Sequence, residues 1–220
     1  MPLLWLLLCC GGAAEAAASR TVRVGRSSAA NASTVAAALA MVPTNSSARW
    51  TVAIEPGIYR ERISTAGKGP LSLRGLGPAE QVVIAFGCSA NKGTGKPGCR
   101  PCPTAPGFAS RATVTIASED FIGANLTIAN DACGYDAGHA AQSEALARAG
   151  DRAAFSGCRF LAGQDTLYTG GGQLRAYFWR SFINGSCDSI CEPRQRPIAA
   201  LYRADVLWLC AHRRRLELGL

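Results

Sequence analysis

Sliding residues 150–190 along themselves by 23 residues lays RAAFSGCRFLAGQD (152–165) on RAYFWRSFINGSCD (175–188). Arg152 then meets Arg175, Ala153 meets Ala176, Phe155 meets Phe178, Cys158 meets Ser181, Phe160 meets Ile183 and Asp165 meets Asp188. One structural unit is written twice. A fixed period of this length, built from short apolar runs broken by glycine and polar residues, suits a solenoid, because each rung can bury its apolar face only against its neighbours. The expectation is an all-β solenoid of short stacked strands.

The rest of the chain reads in the same idiom. WTVAIEPG (50–57) alternates Val52 and Ile54 before a Pro-Gly break, LSLRGLG (71–77) alternates Leu71 and Leu73, and QVVIAF (81–86) is a short apolar run. Strands resume in RATVTIAS (111–118) and FIGANLTIAN (121–130), where Leu126 and Ile128 echo Phe160, so at least three rungs are expected. AAQSEALARAG (140–150) has helical composition but is read as the turn and strand entering the repeat. A short amphipathic helix is expected over VAAALAMV, with Val35, Leu39 and Val42 on one face, a polar cap before it and Pro43 after it. Such a helix can cap the open end of a solenoid, which must hide its first rung from water. Beyond Cys191 no period matches the repeat, and a helix-like apolar run ends in three arginines, so residues 193–220 are expected to be a divergent basic tail.

The opening MPLLWLLLCCGGAAEAAASR has an apolar core followed by small residues, the pattern of a secretory leader over 1–19. Its apolar core is far short of the roughly twenty residues that cross a bilayer, so no membrane attachment is expected after cleavage. Sequons at Asn31, Asn45, Asn125 and Asn184 agree with a secreted glycoprotein. In an oxidising compartment Cys88, Cys99, Cys102 and Cys133 are disulfide material of unreadable pairing, with half a zinc site at Cys99-Arg-Pro-Cys102 as the alternative. Half of the net charge of +8 falls in the tail, which leaves a mildly basic body. No basic run with interleaved aromatics precedes the tail, so nucleic acid is not an expected partner. GTGKPG (93–98) lacks the spacing of a phosphate-binding loop. His139 and His212 stand alone, without a Ser or Cys at a recognisable spacing, and are read as surface or loop residues.

The chemistry is expected where the period stacks side chains. Gln142, Asp165 and Asp188 follow one another at intervals of 23 residues, and in a parallel solenoid such residues form one column at about 4.8 Å spacing. Two carboxylates on adjacent rungs cannot both ionise cheaply, so one keeps its proton and the other its charge. The protonated member can donate to a leaving group while the ionised member attacks or activates water. Gln142 and Gln164 supply amide donors of the kind that an oxyanion needs in acyl transfer. The competing reading takes both aspartates as turn residues that satisfy backbone N–H groups.

In order along the chain, GIYRE (57–61), QSEAL (142–146), GDRAAFSGCRFLAGQDTLY (150–168) and FINGSCDSI (182–190) resemble the successive motifs of the pectinesterases, G-x-Y-x-E, Q-A-V-A-L, Q-D-T-L and D-F-I-F-G. The resemblance implies a right-handed parallel β-helix over 20–192 that hydrolyses methyl esters of galacturonate in pectin, releasing methanol for cell wall modification. It further implies Asp188 as nucleophile, Asp165 as general acid and then base, and Gln142 and Gln164 as the oxyanion hole, with no metal or cofactor. Pectin is the implied partner, and a secreted monomer the implied form.

The sequence also departs from the pattern. Asp188-Ser189-Ile190-Cys191-Glu192 stands for D-F-I-F-G, and the later L-G-R-P-W motif, whose arginine orients the nucleophile, has no match before Leu220. Arg194, Arg196 and Trp208 are present outside that pattern. The expectation is a β-helix truncated after the fourth motif and incomplete at its C-terminal end. A catalytically inactive pectin-binding protein is the alternative function.

Overall fold

The 23-residue offset is the physical register. In the computed structural model, β11 (Ala153–Ser156) pairs in parallel with β14 (Ala176–Trp179), placing Phe155 opposite Phe178. The next strands, β12 (Arg159–Leu161) and β15 (Phe182–Gly185), place Phe160 opposite Ile183. The structure describes residues 20–90, 99–102, 110–133, 141–170, 174–186 and 188–191, and the backbone of 207–210. The leader, the GTGKPG segment, His139, Cys187, Arg194, Arg196 and His212 lie outside the described residues.

Each coil visits three parallel sheets in turn. The first sheet collects β1 (Thr21–Val24), β2 (Trp50–Ile54), β5 (Leu71–Gly75), β8 (Ile122–Ala124), β11 and β14. The second takes β3 (Gly57–Arg60), β6 (Val82–Ala85), β9 (Thr127–Ala129), β12 and β15. The third takes β4 (Ile63–Ser64), β7 (Val114–Ile116), β10 (Leu146–Arg148), β13 (Leu167–Tyr168) and β16 (Ile190–Cys191). Every pairing between these strands is parallel. This is the expected parallel β-helix. FIGANLTIAN, read as one strand, is two, broken at Asn125.

That break is a corner, and it recurs. Asn125, Gly157 and Arg180 each have positive φ (52°, 61° and 46°) between a first-sheet strand and a second-sheet strand. A single left-handed residue turns the chain sharply without a long loop. The corners stack, so the sheets they join stay in register. Inside, Phe155 stacks on Phe178 with centroids 4.9 Å apart, and Phe160 meets both rings edge-on. Gly123 lies level with Phe155, and a Cβ there would meet the Phe155 ring at 2.6 Å, so only glycine leaves room for it.

The N-terminal end is closed as expected. Helix α1 (Val35–Met41) buries Val35 and Leu39 and packs on β1 and β2, with Val42 buried just past its end. Thr34 Oγ1 accepts from the Ala37 N–H at 3.1 Å, and the Glu61 carboxylate accepts from the Val35 and Ala36 N–H groups at 2.7 and 2.8 Å. The glutamate of GIYRE therefore ties the cap to the second coil by satisfying helix N–H groups that have no partner within the helix. The cysteines pair as Cys88–Cys102 and Cys99–Cys133, which removes the zinc alternative. The tail departs from expectation: β17 (Leu207–Cys210) is a strand, not a helix, and extends the second sheet beside β15 with Phe182 opposite Leu207. As a strand, an apolar run beside an unpaired edge satisfies that edge's backbone groups along with its own, whereas a helix would satisfy only its own.

Phe155→Ala removes the ring at the centre of this stack and is expected to cost about 3–5 kcal/mol. Ile122→Ala, on the same sheet but facing outward, is expected to cost less than about 1 kcal/mol. Urea denaturation midpoints of the two variants check the difference.

Candidate active site

The site lies where the third sheet begins on successive coils. The Ser186 N–H donates to the Gly163 carbonyl, and Leu167 lies opposite Ile190, both at the 23-residue offset. Between those fixed points Asp165 falls level with Asp188. Both aspartates have positive φ (60° and 45°), a conformation that Asp tolerates better than most residues. The repeat therefore delivers two carboxylates, from equivalent corners, to one edge of adjacent coils.

Gln142 departs from the single column expected for it. It forms an isolated parallel bridge with Gln164, and the Ser143 N–H donates to the Gln164 carbonyl at 3.0 Å. The preceding coil is shorter here, with Leu146 opposite Leu167, so one period of 23 overshoots. The result is two columns side by side, amide over amide and carboxylate over carboxylate. All four residues expected at the site are thus brought together.

The two aspartates occupy different environments. Asp188 is exposed, and Asp165 is 2% exposed. Burial, and then the charge of Asp188, push the Asp165 carboxyl up to about 6, against the opposing pull of the Gln142 amide, the Arg111 guanidinium and the Gln164 amide. A turn aspartate satisfies its oxygens on backbone N–H groups. Asp165 Oδ2 is buried with no hydrogen-bond partner, which argues for a role beyond the turn. The arrangement is a proton-holding acid beside a solvated carboxylate, with two amides adjacent.

Three further residues stand at the site. The Arg111 guanidinium donates to Glu144 Oε1 at 2.8 Å and to Gln142 Oε1 at 3.2 Å, with the Arg111 and Glu144 side chains 8% and 0% exposed. Burial pushes Glu144 up to about 7 despite the opposing hydrogen bond and charge of Arg111. The Cys191 thiol is pushed up to about 12, first by burial and then by the charges of Asp165, Glu144 and Asp188, so it is a neutral group in an acidic site. No motif or period marks Arg111. Glu144 was visible as a charge inside QSEAL at a position where the quoted pattern carries valine, and that mismatch was the available signal. Among the described residues no group of His, Cys, Asp and Glu is arranged to hold a metal ion, and no helix is long and apolar enough to cross a membrane.

The raised Asp165 sets a pH dependence with a definite sign. Native protein holds a proton on this group up to about 6, while the unfolded chain loses it near 3.8. Stability from this source is complete below about pH 4 and is lost as pH rises through about 6. Over two pH units this amounts to about 3 kcal/mol at most. Asp165→Asn is expected to flatten that fall, read from urea midpoints between pH 4 and 7.

Comparison with known proteins adds the following. A family model described as Pectinesterase matches residues 21–195. Pectinesterase 31 of Arabidopsis thaliana is 31% identical over 185 residues, covering 79% of this chain and 52% of that protein. The solved pectin methylesterase of Erwinia chrysanthemi superposes with a TM-score of 0.70 at 28% identity, covering 90% of this chain and 57% of the other. A pectin methylesterase solved in complex with a hexasaccharide gives the same TM-score, identity and coverage. The chain spans about half the length of the curated relatives it matches.

Proposed function

The chain belongs to the pectinesterase family, and from that premise we propose that it is an aspartyl esterase cleaving methyl esters of galacturonate in pectin. One observation carries the reading: a buried Asp165 that keeps its proton to about 6 lies on the coil next to an exposed Asp188, with Gln142 and Gln164 alongside. The solved relative bound to a hexasaccharide supports a sugar polymer as substrate for the same fold.

In this reading the ionised Asp188 carboxylate attacks the ester carbonyl carbon, and the amide N–H groups of Gln142 and Gln164 hold the oxygen that becomes negative. The carbon–methoxy bond then breaks. Asp165 gives its proton to the departing oxygen, and methanol leaves. The remaining acyl group is an anhydride on Asp188. Asp165, now ionised, takes a proton from water, whose oxygen attacks the acyl carbon and frees Asp188 and a galacturonic acid, which gives its remaining proton to solvent. Atoms and protons balance over the cycle, and no metal or cofactor takes part. A raised acid beside a solvated nucleophile is the division of labour that acyl transfer needs near neutral pH.

The secretory pattern of the leader and the four sequons support a secreted glycoprotein, and in this reading it acts as a monomer at the cell wall. A second reading has a specific motive. The chain spans half of its relatives, and among the described residues Asp188 makes no ion pair with a cation that could orient it. In that reading the chain binds pectin without turning it over.

Methanol release from methyl-esterified pectin tests the first reading. Asp188→Ala and Asp165→Ala are each expected to lower it by about 100-fold or more, and equal activity in wild type and both variants would sink the assignment. Calorimetric binding of a methylated oligogalacturonide without methanol release selects the second reading.

A further inference from the structure

The family's chemistry accounts for Gln142, Gln164, Asp165 and Asp188, but not for a buried ion pair set directly behind them. Arg111 precedes β7 and Glu144 precedes β10, on neighbouring coils of the third sheet. Their approach is enforced by the backbone. Asn130, itself fully buried, donates through Nδ2 to the carbonyls of Arg111 at 3.0 Å, Glu144 at 3.1 Å and Cys88 at 2.8 Å, while its Oδ1 accepts from the Cys88 and Ala132 N–H groups. The Thr113 N–H also donates to the Glu144 carbonyl at 3.1 Å. The two segments that carry the pair are pinned before the side chains meet.

We infer that Arg111 and Glu144 are a positioning pair for Gln142, holding its amide oxygen inward so that its NH2 group faces the reacting carbonyl. The chemistry of the amide makes this a binary choice. A free glutamine can present either its oxygen or its nitrogen, and only the nitrogen end stabilises an oxyanion. Arg111 carries donors alone, so it accepts only the oxygen end, and the 3.2 Å contact is to Oε1. Glu144 Oε1 holds the guanidinium at 2.8 Å, which fixes the direction from which Arg111 reaches Gln142. The opposite end of the amide is then left for Asp165 and substrate, in agreement with the pull that Gln142 exerts toward the charged form of Asp165.

A pair with 8% and 0% exposed side chains is costly to desolvate, and replacing such a pair by apolar groups of similar size is often neutral for stability. Its presence beside an oxyanion glutamine is therefore better explained by orientation than by stability. Glu144 occupies a position where the quoted family pattern carries valine, so the device is not part of that pattern. The kinetic consequence rests on the esterase reading, whereas the orientation of Gln142 does not.

The test is the double variant Arg111→Met with Glu144→Val, in which both charges leave together and neither remains buried alone. Side-chain amide 15N relaxation in the full chain reads the order of Gln142, with Gln164 as the internal comparison. Expected is a rigid Gln142 NH2 in wild type and a mobile one in the double variant, with Gln164 unchanged, and Arg111→Lys lying between them. Equal order of Gln142 in wild type and double variant overturns the inference. In methanol-release kinetics the double variant is expected to lose about tenfold or more in kcat with KM within about twofold, and an unchanged kcat also overturns it. A wild type that releases no methanol refutes the esterase reading and leaves the relaxation result to decide the positioning.

Discussion

Parallel backbone pairing at a fixed offset between coils is the constraint on which the site depends. Phe155 over Phe178 and Phe160 over Ile183 fix that offset from inside, and the left-handed corners at Asn125, Gly157 and Arg180 fix it from the bend. A slip of one residue would turn every side chain of a strand to the other face. Asp165 and Asp188 would then leave the edge on which they meet. The carboxylate pair is thus a by-product of packing: the same interlocking rings that hold the coils together bring two acids to one edge.

Much of this was legible because a solenoid states its register in the sequence. The period gave the pairing of β11 with β14 and of β12 with β15, and the cap followed from the Thr34 and Val35–Leu39–Val42 pattern. What the period could not supply was the length of each coil. Gln142 lies opposite Gln164 because the coil that carries it is shorter, and loop lengths between short strands leave no periodic trace. The Asn125 corner was hidden for a related reason, since a single left-handed asparagine interrupts a strand without changing its apolar character. The strand at 207–210 was missed because hydrophobic runs of that length do not distinguish helix from strand, and the neighbouring edge of β15 decides between them.

The residues that sequence reasoning overlooked are those whose role depends on burial. Arg111 looks like a surface arginine before a strand, and only the convergence of three carbonyls on Asn130 brings it under the glutamine. Glu144 and Cys191 are likewise ordinary in sequence, and become consequential where several acidic groups share a small volume with one guanidinium. Burial there disfavours the charged form, which is why Asp165 and Glu144 are both pushed upward, with the neighbouring carboxylates adding to the effect.

The division between a proton-holding Asp165 and a solvated Asp188 has a topological origin. Asp165 lies between the coil of Glu144 and the coil of Asp188, so its charge is desolvated from both sides. Asp188 precedes β16, the last strand of the third sheet among the described residues, and is exposed. A coil stacked on an exposed carboxylate removes its water and raises the cost of ionising it, unless the coil brings a cation with it. An arginine on the next coil is the natural compensation, since it restores by ion pairing what the added coil takes away in hydration. The orienting arginine of the family pattern meets that electrostatic requirement. Solvent, unlike a guanidinium, supports a charge without fixing its direction.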